Sequence, residues 1–126
     1  MAKNWDIHQV PNLVSNIYRR VLERDWDPVG LIGWGSSLDR GEMSVREVVR
    51  RVALSEEHMA RFIRPNSVEE AVKICYRHLL AREADPGGLQ NWVRVFQQEG
   101  VDNVINGIIN SKEYMDRFGE DGYPRP

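Results

Sequence analysis

Apolar residues return along this chain every three to four positions, the period of helices that bury one face. Leu13, Val14, Ile17, Tyr18, Val21 and Leu22 make the first such stripe, and Pro11 suits a first helical turn. Asp27-Pro28 and Asp85-Pro86 each set a capping acid before a first-turn proline, so a helix is predicted to start at each. The first is expected to bury Leu31, Trp34 and Leu38, and the second Leu89, Trp92, Val93 and Phe96. Gly41 and Gly100 are expected to end them. Ser44-Val45-Arg46-Glu47 reads as a capping box ahead of the stripe Val45, Val48, Val49 and Val52. Val101, Val104, Ile105, Ile108 and Ile109 form a similar stripe on a helix weakened by Asn103, Asn106, Gly107 and Asn110. Ser67-Val68-Glu69-Glu70 is a second capping box, and Ser55 and Ser111 are predicted to cap short helices running to Phe62 and Phe118. No stretch alternates apolar and polar residues long enough to make a strand, although the valine and isoleucine clusters also suit strands. Residues 119–126, with two glycines and two prolines, are predicted non-helical. This tail either lies on the bundle through Tyr123 or waits for a partner.

The pattern occurs twice. Ile17 to Trp34 and Cys75 to Trp92 share Tyr, Arg, Leu, Arg, Asp, Pro, Gly, Leu and Trp at an offset of 58 residues. The likeness resumes between Ser55–Phe62 and Ser111–Phe118 at an offset of 56. The expected fold is an all-α compact bundle of about seven to eight helices built from two tandem repeats. Repeat one covers about 11–64, repeat two about 67–118, and both belong to a single domain over 1–126. Pro65-Asn66 is too short a joint for a flexible tether.

Composition narrows the function. With 41% hydrophobic and 29% charged residues the chain can bury a core. Its apolar runs are only a few residues long, where a membrane span needs ~20. Met1 to Asp6 holds no apolar signal segment, so the cytoplasm is the simplest expected compartment. Seventeen basic and nineteen acidic residues leave a net charge of −2, which offers nucleic acid or anionic lipid no general attraction. Fourteen of the basic residues are Arg, the cation of planar, bidentate contacts, which favours protein partners. Residues 1–64 hold ten basic and nine acidic residues, and residues 65–126 hold seven and ten.

Candidate chemistry is sparse. His8, His58 and His78 fall on different segments, none at the i, i+4 spacing of a helical metal pair, and are expected to be surface or interhelix histidines. Asp25 to Gly30 imitates the start of a calcium loop, but Ser36 stands where the bidentate acid belongs, and Arg94 stands there in the second copy. Cys75 reads as a small apolar core residue, since Ile17 is its counterpart; His78 three residues on keeps a nucleophilic role open. No metal or cofactor is expected. Arg46, Arg50 and Arg51 form a basic helix face, reinforced by Arg19, Arg20, Arg24, Arg61 and Arg64. Such a face is a solvated surface or a docking surface for protein. Trp34 and Trp92 match and are expected in the core, whereas Trp26 faces only Ala84 across the repeat and Trp5 lies outside it. Unmatched aromatics suit an interface, because the shared scaffold does not need them; the alternative for Trp5 is that it pins the N-terminal arm.

The unit Tyr-Arg-x-x-Leu-x-Arg-x-x-Asp-Pro-x-Gly-Leu-x-x-Trp, followed by Ser-x-Glu-x-Met-x-Arg-Phe, resembles two helical families. One is the phycobilisome linker polypeptide domain of cyanobacteria and red algae. The other is a bacterial repeat family of unknown function found in large surface and secreted proteins. Glu42 to Glu56, and Ser111 to Tyr114 with Phe118 to Pro124, are similar to the linker family; Asp-Pro-x-Gly-Leu-x-x-Trp is closer to the other. The linker resemblance implies a non-enzymatic, chromophore-free scaffold that orders phycobiliprotein rings of a light-harvesting antenna. It also implies a place on the cytoplasmic face of the thylakoid membrane, reached through the antenna. Arg19, Arg20, Trp26, Arg46, Arg50, Arg51, Arg61 and Tyr123 are the candidate contacts with phycobiliproteins or another protein complex. The alternatives are a generic interaction repeat of a larger surface or secreted protein, and a small enzyme using Cys75 or His78.

Overall fold

The computed structural model describes residues 10–125, so Trp5 and His8 lie outside the described residues, as does the side chain of Leu31. Eight helices follow one another, with no strand among the described residues. Helix α1 (Val10–Ile17) widens into a π turn over Tyr18–Leu22 and is followed by α2 (Pro28–Asp39) and α3 (Val45–Ala53). Helix α4 (Glu56–His58) runs into a second π turn, Met59–Ile63. The second half holds α5 (Val68–Leu80), α6 (Pro86–Glu99), α7 (Val101–Ile109) and α8 (Lys112–Arg117).

The predicted caps form. Asp27 and Asp85 accept from the backbone N–H of Gly30 and Gly88, and Ser44, Ser55, Ser67 and Ser111 accept from the N–H three residues on. The two capping boxes close only on the serine side. Glu47 is held by Arg50 and Arg51 at 3.0 Å each, and Glu70 by Arg77 at 3.3 Å. A guanidinium competes better for these carboxylates than one exposed N–H.

The core lies between equivalent helices of the two halves. The π turn Tyr18–Leu22 faces α5, α3 faces α7, and α1 itself packs on α2. Val45, Val48, Val49 and Val52 meet Val104, Ile105, Ile108 and Ile109 there, all of them buried. Helix α6 departs from expectation. Leu89, Trp92, Val93 and Phe96 pack against the core but stay half-buried, and no α6 residue is fully buried. A two-repeat bundle is thin, and its outer helices have a core on one side only. The tail is non-helical over its last residues and lies on the bundle, where Tyr123 Oη accepts from Asn16 Nδ2 at 2.9 Å and Pro124 is buried.

Candidate partner interface

The residues that the two repeats share are used inside the fold. Arg24 pairs bidentately with Glu57 at 2.6 and 2.8 Å, and Arg82 with Glu113 at 2.9 and 2.8 Å. Arg61 donates to the Leu22 carbonyl and to Glu57, and Arg117 to the Leu80 carbonyl and to Glu113, at 2.6 and 3.0 Å in both copies. Arg24 lies 5.0 Å from the Tyr18 ring centre and Arg82 lies 5.1 Å from that of Tyr76. Trp34 donates to Tyr18 Oη at 3.2 Å, and Trp92 is the matching neighbour of Tyr76 Oη. A Cβ on Gly30 or Gly88 would collide with the same two hydroxyls, which is why glycine stands at both positions. Each Arg–Glu pair ties the loop before a proline-started helix to the short helix closing its repeat. Arg82, and to a smaller extent Arg117, hold the Glu113 carboxyl down at about 2, and Arg24 likewise lowers Glu57.

The eight candidate contact residues divide. Arg19 is open and pairs with exposed Asp25, Trp26 is 38% exposed, and among the described residues Arg51 reaches only Glu47 on its own helix. The others hold the fold. Arg20 donates to the carbonyls of Arg77 and Arg125. Arg46 binds the Ile109 carbonyl, Asn110 and Glu120, and Arg50 binds Asn106 and Asn110, so both join α3 to α7. Arg61 is engaged as above, and Tyr123 anchors the tail.

Three residues that sequence spacing left apart meet at the seam between the repeats. His58 and His78 are both buried, with His58 Nε2 2.9 Å from His78 Nδ1, and His78 Nε2 is 2.7 Å from Glu23 Oε2. Glu23 can reach inward because its backbone turns left-handed, φ 53°, at the end of the first π turn; the second π turn begins directly after His58. Phe62 packs its ring on both imidazoles at 5.4 and 4.8 Å. Burial drives His58 down to about 3, with His78 adding to the effect, and lowers His78 against the pull of Glu23. No spacing rule links positions 20 and 55 residues apart in sequence, so only the fold could find this cluster. Among the described residues no group of three His, Cys, Asp or Glu side chains is placed to hold a metal. Cys75 is buried, and burial pushes its thiol up to about 12, the opposite of what a nucleophile needs.

Two exposed side chains were absent from the sequence-derived set: Val29 and Ile32, 82% and 69% exposed on α2. The signal was present in the repeat, since their counterparts are Gly87 and Gln90.

Residues 5–126 match the phycobilisome linker polypeptide family, the whole of both repeats. The chain belongs to that family. Among its relatives, this linker-family chain is 34% identical over 127 residues to the phycobilisome 32.1 kDa linker polypeptide, phycocyanin-associated, rod 1, of Synechocystis sp.. It is 31% identical over 127 residues to the 39 kDa phycocyanin-associated rod linker of Microchaete diplosiphon. Each alignment covers 98% of this chain and 44% of the relative. It is also 29% identical over 120 residues to the phycobiliprotein ApcE of Nostoc sp., covering 91% of this chain and 11% of that one. The linker-family chain therefore spans less than half the length of these relatives. Among the described residues no helix is long and apolar enough to cross a membrane.

Proposed function

We propose that this chain is a non-enzymatic scaffold that binds phycobiliprotein and keeps it in order within a light-harvesting antenna. The observation that carries this reading is the linker-family match running unbroken through residues 5–126. Two of the relatives are named as phycocyanin-associated, which makes phycocyanin the first partner to try. The internal use of the shared arginines, tyrosines and tryptophans supports it, because a scaffold needs a rigid body more than a reactive centre. The chain acts as one domain of two repeats, about 11–64 and 67–118, with the tail folded back. It works at the cytoplasmic face of the thylakoid through the antenna, without a chromophore or nucleic acid. Arg19, Trp26 and Arg51 can meet the partner without disturbing the fold. Arg20, Arg46, Arg50, Arg61 and Tyr123 act through the surfaces they hold in place.

The test is retention of purified phycocyanin on the immobilised chain, read by visible absorbance in the eluate. Pigment is retained at low salt, and Arg19→Glu with Arg51→Glu slows association while leaving helix content unchanged. Failure to retain pigment at any ionic strength overturns the reading.

A further inference from the structure

Helix α2 presents a face that stays exposed among the described residues. Val29, Ile32, Gly33 and Ser36 follow the i, i+3, i+4, i+7 spacing of one helical stripe. Val29 and Ile32 are exposed, and Trp26 stands at the same end of the helix. A Cβ on Gly33 would meet nothing within 4 Å, so no internal packing asks for glycine there. Glycine inside a helix is costly, which leaves close approach from outside as the physical reason for it. The second repeat serves as an internal control. The positions matching Trp26, Val29, Ile32, Gly33 and Ser36 hold Ala84, Gly87, Gln90, Asn91 and Arg94. The same scaffold is thus built without the apolar and small residues, so architecture does not require them.

Beside this stripe runs a groove of about 490 Å³, lined by Val29, Gly33, Trp34, Met43 and Arg51 among others. Its acid, Asp27, is engaged by the Gly30 N–H and by Arg24. Its cation, Arg51, shares the single carboxylate of Glu47 with Arg50, so positive charge is in excess there. The large apolar side chains exposed on this face are Trp26, Val29 and Ile32, a smaller area than the roughly 800 Å² per partner of a stable dimer, which argues against a second copy as occupant.

Resting on the scaffold reading above, we infer that the α2 face of repeat one docks a helix of the phycobiliprotein partner. That helix carries apolar side chains against Val29 and Ile32, packs closely over Gly33, and sets a carboxylate near Arg51.

Immobilised phycocyanin binding separates the outcomes. Ile32→Glu and Gly33→Leu are expected to weaken binding at least tenfold, while Gln90→Glu and Asn91→Leu stay within twofold of the parent chain. Gly33→Ala is expected to raise the melting temperature by ~3 °C yet weaken binding, a combination that a purely structural glycine does not produce. A photocrosslinker at position 32 is expected to mark a helical segment of phycocyanin. If the parent chain binds and the α2 variants bind equally well, the docking face is overturned and the scaffold reading stands. If the parent chain retains no phycocyanin, both fall. Sedimentation of the parent chain as a dimer that Ile32→Glu dissociates assigns the face to a second copy and overturns the inference.

Discussion

His58 Nε2 stands 2.9 Å from His78 Nδ1, a contact that sets the tautomer of both rings. The Glu23 carboxylate can only accept, so His78 donates to it through Nε2. His78 Nδ1 is then an acceptor, and His58 donates to it from Nε2. His58 Nδ1 is left without a proton and without a hydrogen-bond partner, while the Ala53 carbonyl favours the protonated ring. A proton added here is disfavoured first by the burial of both rings and then by Arg77 and Arg20 at His78 and by Arg61 at His58, against the pull of Glu23, of Glu57 and of the Ala53 carbonyl.

Stability should therefore fall in mild acid. His58 is held at about 3, below its unfolded value of 6.5, so the unfolded chain binds more protons between those limits. The contribution is complete above pH 6.5 and is lost as pH falls toward 3. Between pH 6.5 and 4.5 this amounts to about 2–3 kcal/mol, and the paired glutamates add their own loss only toward the lower end of that interval. Urea midpoints measured across that interval check it. His58→Leu should flatten the profile, and an equally steep profile in that variant would remove His58 as the cause.

Arg82 and Glu113 should act as one unit. Arg82→Ala is expected to cost about 1–2 kcal/mol, since it leaves Glu113 with Arg117 alone. Adding Glu113→Gln should cost less than the sum of the two single changes, which a thermal-melt cycle reads directly. Glu113 is held at about 2, so its contribution is present above its unfolded value near 4.5 and disappears as pH falls toward 2.

Gly88→Ala should destabilise by about 1–3 kcal/mol, because the new methyl meets the hydroxyl of buried Tyr76. Tyr76→Phe in the same chain removes the colliding atom and should recover part of the loss. No recovery would show that the glycine is needed for another reason.

Ala81 adopts the left-handed backbone at φ 52° where α5 ends, in the place Glu23 takes in the first repeat. Ala81→Gly relieves that strain and should stabilise by about 0.5–1 kcal/mol in chemical denaturation. Glu23→Gly would relieve the same strain while deleting the His78 partner, so it should not show the same gain.

The helices, their caps and the doubling were legible from residue order, because each depends on neighbours within a few positions. Asp27 with Pro28 and Ser44 with Val45 act over one turn, and the Val48, Val49, Val52 stripe declares its period locally. The partition of the arginines was not legible. Arg46 and Arg50 belong to a helix face that looks solvated in one dimension, yet they reach Asn106 and Asn110 of the other repeat. Arg61 reads as a surface residue until the fold brings it to the Leu22 carbonyl.

Sequence alone determined an all-helical chain with a doubled motif, since hydrophobic period and capping chemistry are local properties. The tertiary structure alone decided which charges are internal, that two histidines share a buried seam, and that α2 keeps an apolar face open. Those outcomes depend on how two repeats are set against each other, and distances across that seam are not encoded by any spacing along the chain.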